Sequence, residues 1–244
     1  MRPGGDVGAS YRDQMYDLRG TVMDVKPTVG EAQDRINFDK TVERCNRVCT
    51  SVDGDRLVSF YAGNIERRQC EGRHGWVVES IYGFVDPDYR SRVPWFPILC
   101  SSLVPAWLRH ARDPVYFYGA AYPASYIKIR AQTKDCITPQ GGGAPWERSL
   151  LLDAVQSYEG DAWDTRTRLV RMTTVPKEVN VVPKQAANRR FYDDYVALNS
   201  NWSEGYSVPV MFRLGSTSLL LGGLYGAGSR LLGRSGKERA PARA

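Results

Sequence analysis

Histidine is nearly missing from this sequence, and its cysteines do not come in pairs. Two histidines and five cysteines among 244 residues leave little material for a metal centre. His74 and His110 stand at no ligand spacing, so no zinc site is expected. An odd cysteine count fits reduced thiols, not a disulfide scaffold. Cys45 and Cys49, read as parts of one strand, would share a face ~13 Å apart, too far to bridge. No uninterrupted apolar 18-mer occurs and the mean hydropathy is −0.42, which points to a soluble protein. Met1 to Asp6 lacks the apolar stretch of a signal peptide, so a cytoplasmic location is expected. A Gly-x-Ser-x-Gly elbow, a Walker loop and a His-Glu-x-x-His pair are all absent, which removes three common enzyme classes.

What is present is apolar and basic. Hydrophobic residues make up 42%, enough for one large domain or two small ones, and the net charge is +6. Nucleic acid is not the expected partner, because lysine-rich helices, zinc fingers and ribonucleoprotein-type aromatic motifs are missing. Part of the charge sits in the tail, where Arg230, Arg234, Lys237, Arg239 and Arg243 oppose a single Glu238. Residues 231–244 read as a solvated, disordered tail. The apolar stretch from Ser216 to Leu232 reads as a helix weakened by four glycines. With the basic tail it would allow peripheral membrane contact.

Tyr11, Met15, Leu18 and Val22 form one helical stripe that Ser10 can cap. A polar stretch from Pro27 to Lys40 suggests a second short helix. Thr41 to Val52 and Asp55 to Arg67 read as strands flanking an Asp53-Gly54 hairpin turn. A turn at Glu71–Gly75 leads into a third strand, making three consecutive antiparallel strands. Pro94 and Pro97 suit a helix start, and 114–119 reads as a strand. The glycines at 141–143 read as a flexible break. Helices are expected at 146–158 and 188–198, and strands at 166–175 and 206–214.

Residues 75–130 carry the chemistry. Trp76 to Val85 is apolar on both faces except for Glu79 at its centre. A lone carboxylate in a buried strand is costly unless it is paired, neutralised or used. Pairing with Arg67 or Arg68 would satisfy it; desolvation without pairing would raise its pKa and make it a base. The turn Asp86 to Arg92 then brings arginines to a helix start, a natural place for an anion.

Val85-Asp-Pro-Asp-Tyr-Arg-Ser-Arg92 resembles the V-x-P-x-Y-R-G-x-G segment of the GNAT acyltransferase superfamily. The strand from Pro114 and the turn Tyr122-Pro-Ala-Ser-Tyr126 stand where that family has its fifth strand and an Asn-x-x-Ala turn. The resemblance covers roughly residues 10–130. It implies an α+β fold of three layers, with a mixed, mostly antiparallel sheet flanked by helices and splayed between the fourth and fifth strands. Residues 1–230 would form a single domain, with 10–130 as the acyl-donor half and 131–230 as the acceptor-side half. The implied activity is direct acyl transfer from a thioester to an amine.

By the same resemblance, Glu79 would be the base and Tyr126 the acid that protonates the leaving thiolate, with Tyr118 and Tyr122 as rivals. Main-chain groups of Gly83, Phe84 and Val85, together with Arg90, Arg92, Val93, Tyr122 and Ser125, would hold the donor. One departure stands out. The family's pyrophosphate loop needs glycines where this chain has Val93 and Trp95, with Pro94 between them, and proline has no N–H to donate. The donor is therefore expected to be acyl-CoA or an acyl-phosphopantetheine on an acyl-carrier protein, whose single phosphate needs no such cradle. A fatty or polyketide acyl group and an amine-bearing peptide or small molecule, as in natural-product biosynthesis, are the substrates the resemblance suggests. The alternative is a non-catalytic module of the same fold that binds a carrier protein or peptide.

Overall fold

The computed structural model describes residues 2–89, 107–133, 135–177 and 186–215. The first helix, α1 (Ala9–Gly20), buries Met15 and Leu18 of the expected stripe. Its cap is Gly8 in extended backbone; Ser10, expected there, lies inside the first turn. Helix α2 (Glu31–Arg44) is longer than foreseen, because Phe38 and Val42 continue the apolar stripe and Cys45 closes it. Cys45 is thus a helix terminus and not part of a strand, with its thiol on the Thr41 carbonyl at 3.2 Å.

Between the two helices, β1 (Met23–Val25) pairs antiparallel with β9 (Thr174–Pro176), from far along the chain. Strands β2 (Arg47–Asp53), β3 (Arg56–Cys70) and β4 (Arg73–Val85) follow as the expected antiparallel run, turning at Gly54–Asp55 and Glu71–Gly72. β5 (Val115–Ala121) lies parallel to β4. Helix α3 (Pro123–Gln132), β6 (Cys136–Ile137) and helix α4 (Pro145–Glu159) come next. The supposed flexible break is packed: a Cβ on Gly142 would lie 2.4 Å from the Cys136 carbonyl oxygen, and its φ is +87°.

The single strand expected over 166–175 is instead two pieces. β7 (Trp163–Asp164) and β8 (Leu169–Arg171) form a hairpin, and β9 leaves for the other sheet. Asp164 causes the turn, its Oδ1 accepting the N–H groups of Arg166 and Thr167 at 2.9 and 3.2 Å. Helix α5 (Ala186–Leu198) and β10 (Tyr206–Arg213) complete the described chain.

The larger sheet runs β2-β3-β4-β5-β10-β8-β7, with β6 also on β10, and only β4–β5 is parallel. Alternation sorts its side chains onto two faces. Val77, Tyr116, Tyr118 and Met211 pack under α4, next to the cluster that α1 and α2 cover. Val78, Val115, Phe117 and Phe212 face the opposite way, where α3 and α5 close the layer through Ile129, Tyr126 and Tyr195. This is the three-layer, mostly antiparallel α+β arrangement foreseen. Among the described residues no helix is long and apolar enough to cross a membrane. The segments 216–232 and 231–244, and most of the helix expected after Pro94, lie outside the described residues.

α1 and α2 are joined by a buried ion pair, Arg19 with Asp34, exposed by only 3% and 1%. Two guanidinium nitrogens meet the carboxylate, which also accepts the Tyr16 and Thr173 hydroxyls at 3.0 and 3.2 Å. The Phe38 and Tyr82 rings lie 5.1 and 6.0 Å from the guanidinium carbon.

The feature that shapes the site is an extra residue in β4. Gly63 pairs with Ser80 but Ala62 pairs with Tyr82, so Ile81 bulges out of the β3–β4 ladder. The β4–β5 pairing stops at the same place, at Ser80–Gly119, although β4 continues for five residues more. Val77 to Glu79 are buried, whereas 80–85 are part-exposed or exposed. The two strands therefore part, as a splayed sheet requires. The Glu79 carbonyl turns onto β3, where it accepts the Tyr61 hydroxyl. A Cβ on Gly63 would lie 2.0 Å from that carbonyl oxygen. Gly63→Ala should therefore destabilise the protein by about 1–3 kcal/mol in urea unfolding; wild-type stability would mean that the bulge does not need this close approach.

Candidate active site

Glu79 is the last fully buried residue of β4 before the bulge, with 2% exposure. Its register partners are Asn64 on β3 and Tyr118 on β5, so three polar side chains lie abreast on one face of the sheet. Asn64 donates from Nδ2 to Glu79 Oε2 at 2.6 Å. Tyr118 donates to Glu159 Oε1 at 2.7 Å, and its ring stacks on Tyr158 at 5.8 Å. Tyr158 and Glu159 end α4, which brings them over the rung.

The surroundings decide the charge on Glu79. Arg67 is occupied by Asp113 at 2.7 Å. Arg68 is spread over Glu66, Asp153, Ser157 and Tyr158. Among the described residues Glu79 makes no ion pair, so the pairing weighed from the sequence does not occur. Burial pushes its pKa up to about 8; Glu159 and Glu66 add to the rise, while the Asn64 bond and Arg68 oppose it. Burial also raises Glu159, against the Tyr118 hydrogen bond. The result is a desolvated carboxyl among acidic neighbours, its pKa pushed up to about 8.

Gly83, Phe84 and Val85 follow the bulge on β4 and border the splay. Over 81–85 the strand has β3 on one side and no described strand on the other, so alternate main-chain N–H groups are available for an oxyanion. Tyr122 follows β5 as the N-cap of α3, its hydroxyl held by the Thr174 carbonyl. Ser125 is exposed on the first turn of α3. The turn after β4 is tied down by Asp86, which meets Arg56 and caps the N–H of Asp88 at 3.0 Å. Tyr89 reaches Asp53 at 2.6 Å. Arg90, Arg92 and Val93 lie outside the described residues.

Tyr126 does not join this group. It belongs to the opposite face, edge-on to Tyr195 at 5.2 Å, and burial pushes its hydroxyl up to about 12. A phenol packed between α3 and α5 lies on the other side of the sheet from the rung of Asn64, Glu79 and Tyr118. Sequence reasoning missed Asn64, Tyr158 and Glu159. Asn64 had a signal, as an amide within the apolar run from Leu57 to Ile65. So did Glu159, a carboxylate at a helix C-terminus, where the dipole disfavours negative charge.

No family model and no curated protein matches the sequence. Among solved structures, the chain is similar to a conserved protein of unknown function from Enterococcus faecalis V583, described as a probable N-acyltransferase. That match has 14% identity and a TM-score of 0.38, covering 55% of this chain and 34% of the other. It is also similar to a GCN5-related N-acetyltransferase from Kribbella flavida, with 15% identity and a TM-score of 0.36, covering 92% of this chain and 60% of the other. The chain thus spans about a third and three fifths of the lengths of these proteins.

A carboxyl whose pKa rises on folding binds its proton more tightly in the native state. The stability that Glu79 contributes is complete below about pH 4.5 and is lost as pH rises through about 8. Thermal melts of the wild type should show this decline, and Glu79→Gln should flatten it. An identical decline in the variant would show that Glu79 is not the group responsible.

Proposed function

We propose that the protein is an N-acyltransferase that moves an acyl group from a thioester to an amine. The observation that carries this reading is the position of Glu79, an unpaired, desolvated carboxylate at the point where β4 and β5 part. The thioester arm would lie between residues 81–85 and the end of β5. Its carbonyl would point at the β4 main chain, whose N–H groups stabilise the oxyanion.

An ammonium must lose a proton before its nitrogen can attack. Glu79 accepts that proton, and its burial calls for a relay through a hydroxyl or a water molecule. The neutral nitrogen then bonds to the carbonyl carbon, the C–S bond breaks, and the second proton on nitrogen passes to the departing sulfur, which leaves as a thiol. The donor is acyl-CoA or an acyl-phosphopantetheine borne by a carrier protein. Valine and tryptophan at the glycine positions of the phosphate loop favour the carrier.

The test is to incubate the full chain with both donor types and a panel of amines, and to weigh the products by mass spectrometry. An amide product is expected, with kcat/KM rising as pH approaches about 8. Glu79→Gln should lower the rate by about 10²-fold or more while leaving donor affinity nearly intact. Tyr126→Phe should stay within about two-fold of wild type, because removing a hydroxyl from this packed site leaves the cleft unaltered. Donor binding without any transfer would support the binding-module alternative and end the enzymatic reading.

A further inference from the structure

The hydrogen bond on Glu79 is one link of a chain whose direction is fixed. The main-chain N–H of Asn46 donates to Asn64 Oδ1 at 2.8 Å. A main-chain N–H can only donate, so the Asn64 oxygen must face it and the amide nitrogen must face Glu79. Asn46 is itself locked, its side chain exchanging two hydrogen bonds with Ile65, at 2.9 Å to the N–H and 3.2 Å to the carbonyl. The side-chain amide of Asn46 thus continues the β2–β3 ladder past Arg47, the last paired residue of β2.

We propose that Asn64 is a positioning residue, oriented by the Asn46 main chain, that fixes one oxygen of Glu79 and leaves the other to receive the proton. This rests on Glu79 acting as the base. With Oε2 fixed by an N–H donor, the carboxylate cannot turn freely about its terminal bond, and the proton arrives at Oε1. The contact also favours the ionised form and so keeps the base usable near neutrality. The other groups that act on Glu79 are Tyr61, Glu66 and Arg68 from β3, Cys45 at the end of α2, and Tyr118, Tyr158 and Glu159. Glu66, Glu159 and the desolvation all push toward protonation. Asn64 gives the first-ranked opposing effect.

Two variants separate positioning from mere structure. Asn64→Asp keeps an acceptor for the Asn46 N–H but turns a carboxylate oxygen toward Glu79. Asn64→Leu removes both contacts. The Glu79 carboxyl carbon is followed by NMR titration in the full chain labelled with ¹³C-glutamate, with Glu79→Gln to assign the signal. The pH–rate profile is measured alongside it. Asn64→Leu should raise the titration midpoint by about one pH unit, as expected for a lost charge-assisted hydrogen bond, and Asn64→Asp should raise it further. The acid limb of the rate should move with it while the high-pH plateau survives.

A midpoint that moves without the rate profile would uphold the positioning and sink the base assignment. A midpoint unmoved in both variants, whatever happens to the melting temperature, would overturn the proposal. If Asn64→Leu fails to fold, the isosteric aspartate decides alone.

Discussion

The architecture turns on one surplus residue. Ile81 enters β4 with no counterpart on β3, and the ladder absorbs it by swinging the Glu79 carbonyl over Gly63. A β-bulge sharpens the local twist and bends its strand. Here the bend carries β4 away from β5 one residue after their last pair, so that among the described residues 81–85 have β3 as their one strand neighbour. The same displacement strands Glu79 at the limit of the packed interior, deep enough to be desolvated and close enough to the gap to serve it. The end of the β4–β5 pairing and the perturbed carboxyl share a single backbone cause.

Asp34 and Glu79 are both buried carboxylates, and the structure treats them differently. Asp34 is met by the two-pronged guanidinium of Arg19 and two hydroxyls, so its charge is fully compensated. Glu79 receives one amide donor and sits near two further acids. The first arrangement holds helices together. The second keeps a proton exchangeable near neutral pH, which a compensated pair would not do. Arg68 marks the division, because four hydrogen-bonding partners hold it away from Glu79.

Much of this order is readable from local pattern. Asp53-Gly54 announces its hairpin, the two-sided apolar run from Trp76 to Val85 announces a central strand, and an acid within it announces unusual chemistry. Period and turn chemistry suffice for these because each is decided by neighbours in sequence. The bulge is not readable this way, since it depends on which residue of β3 faces which residue of β4. The same holds for Asn64 and Glu159, which meet Glu79 only through register and helix placement. Tyr126 shows the converse: its place in the motif was visible, but the side chain's direction was set by Tyr195, which comes about seventy residues later in the sequence. The division of 166–175 followed from Asp164 capturing two N–H groups, a local event hidden beneath a strand-like composition.

The small pairing of β1 with β9 has a consequence for how the chain assembles. Met23 cannot find Pro176, nor Asp34 the hydroxyl of Thr173, which lies 139 residues further along, until that later stretch has been synthesised. Closing so wide a loop is entropically slow and adds long-range contacts to the native set. Until then Asp34 holds Arg19 without the Thr173 hydroxyl and the β1 backbone waits for β9, whereas Phe38 already has Tyr16, Phe60 and Tyr82 to pack against. That interval is when the β1 backbone of a nascent copy would be most open to mispairing.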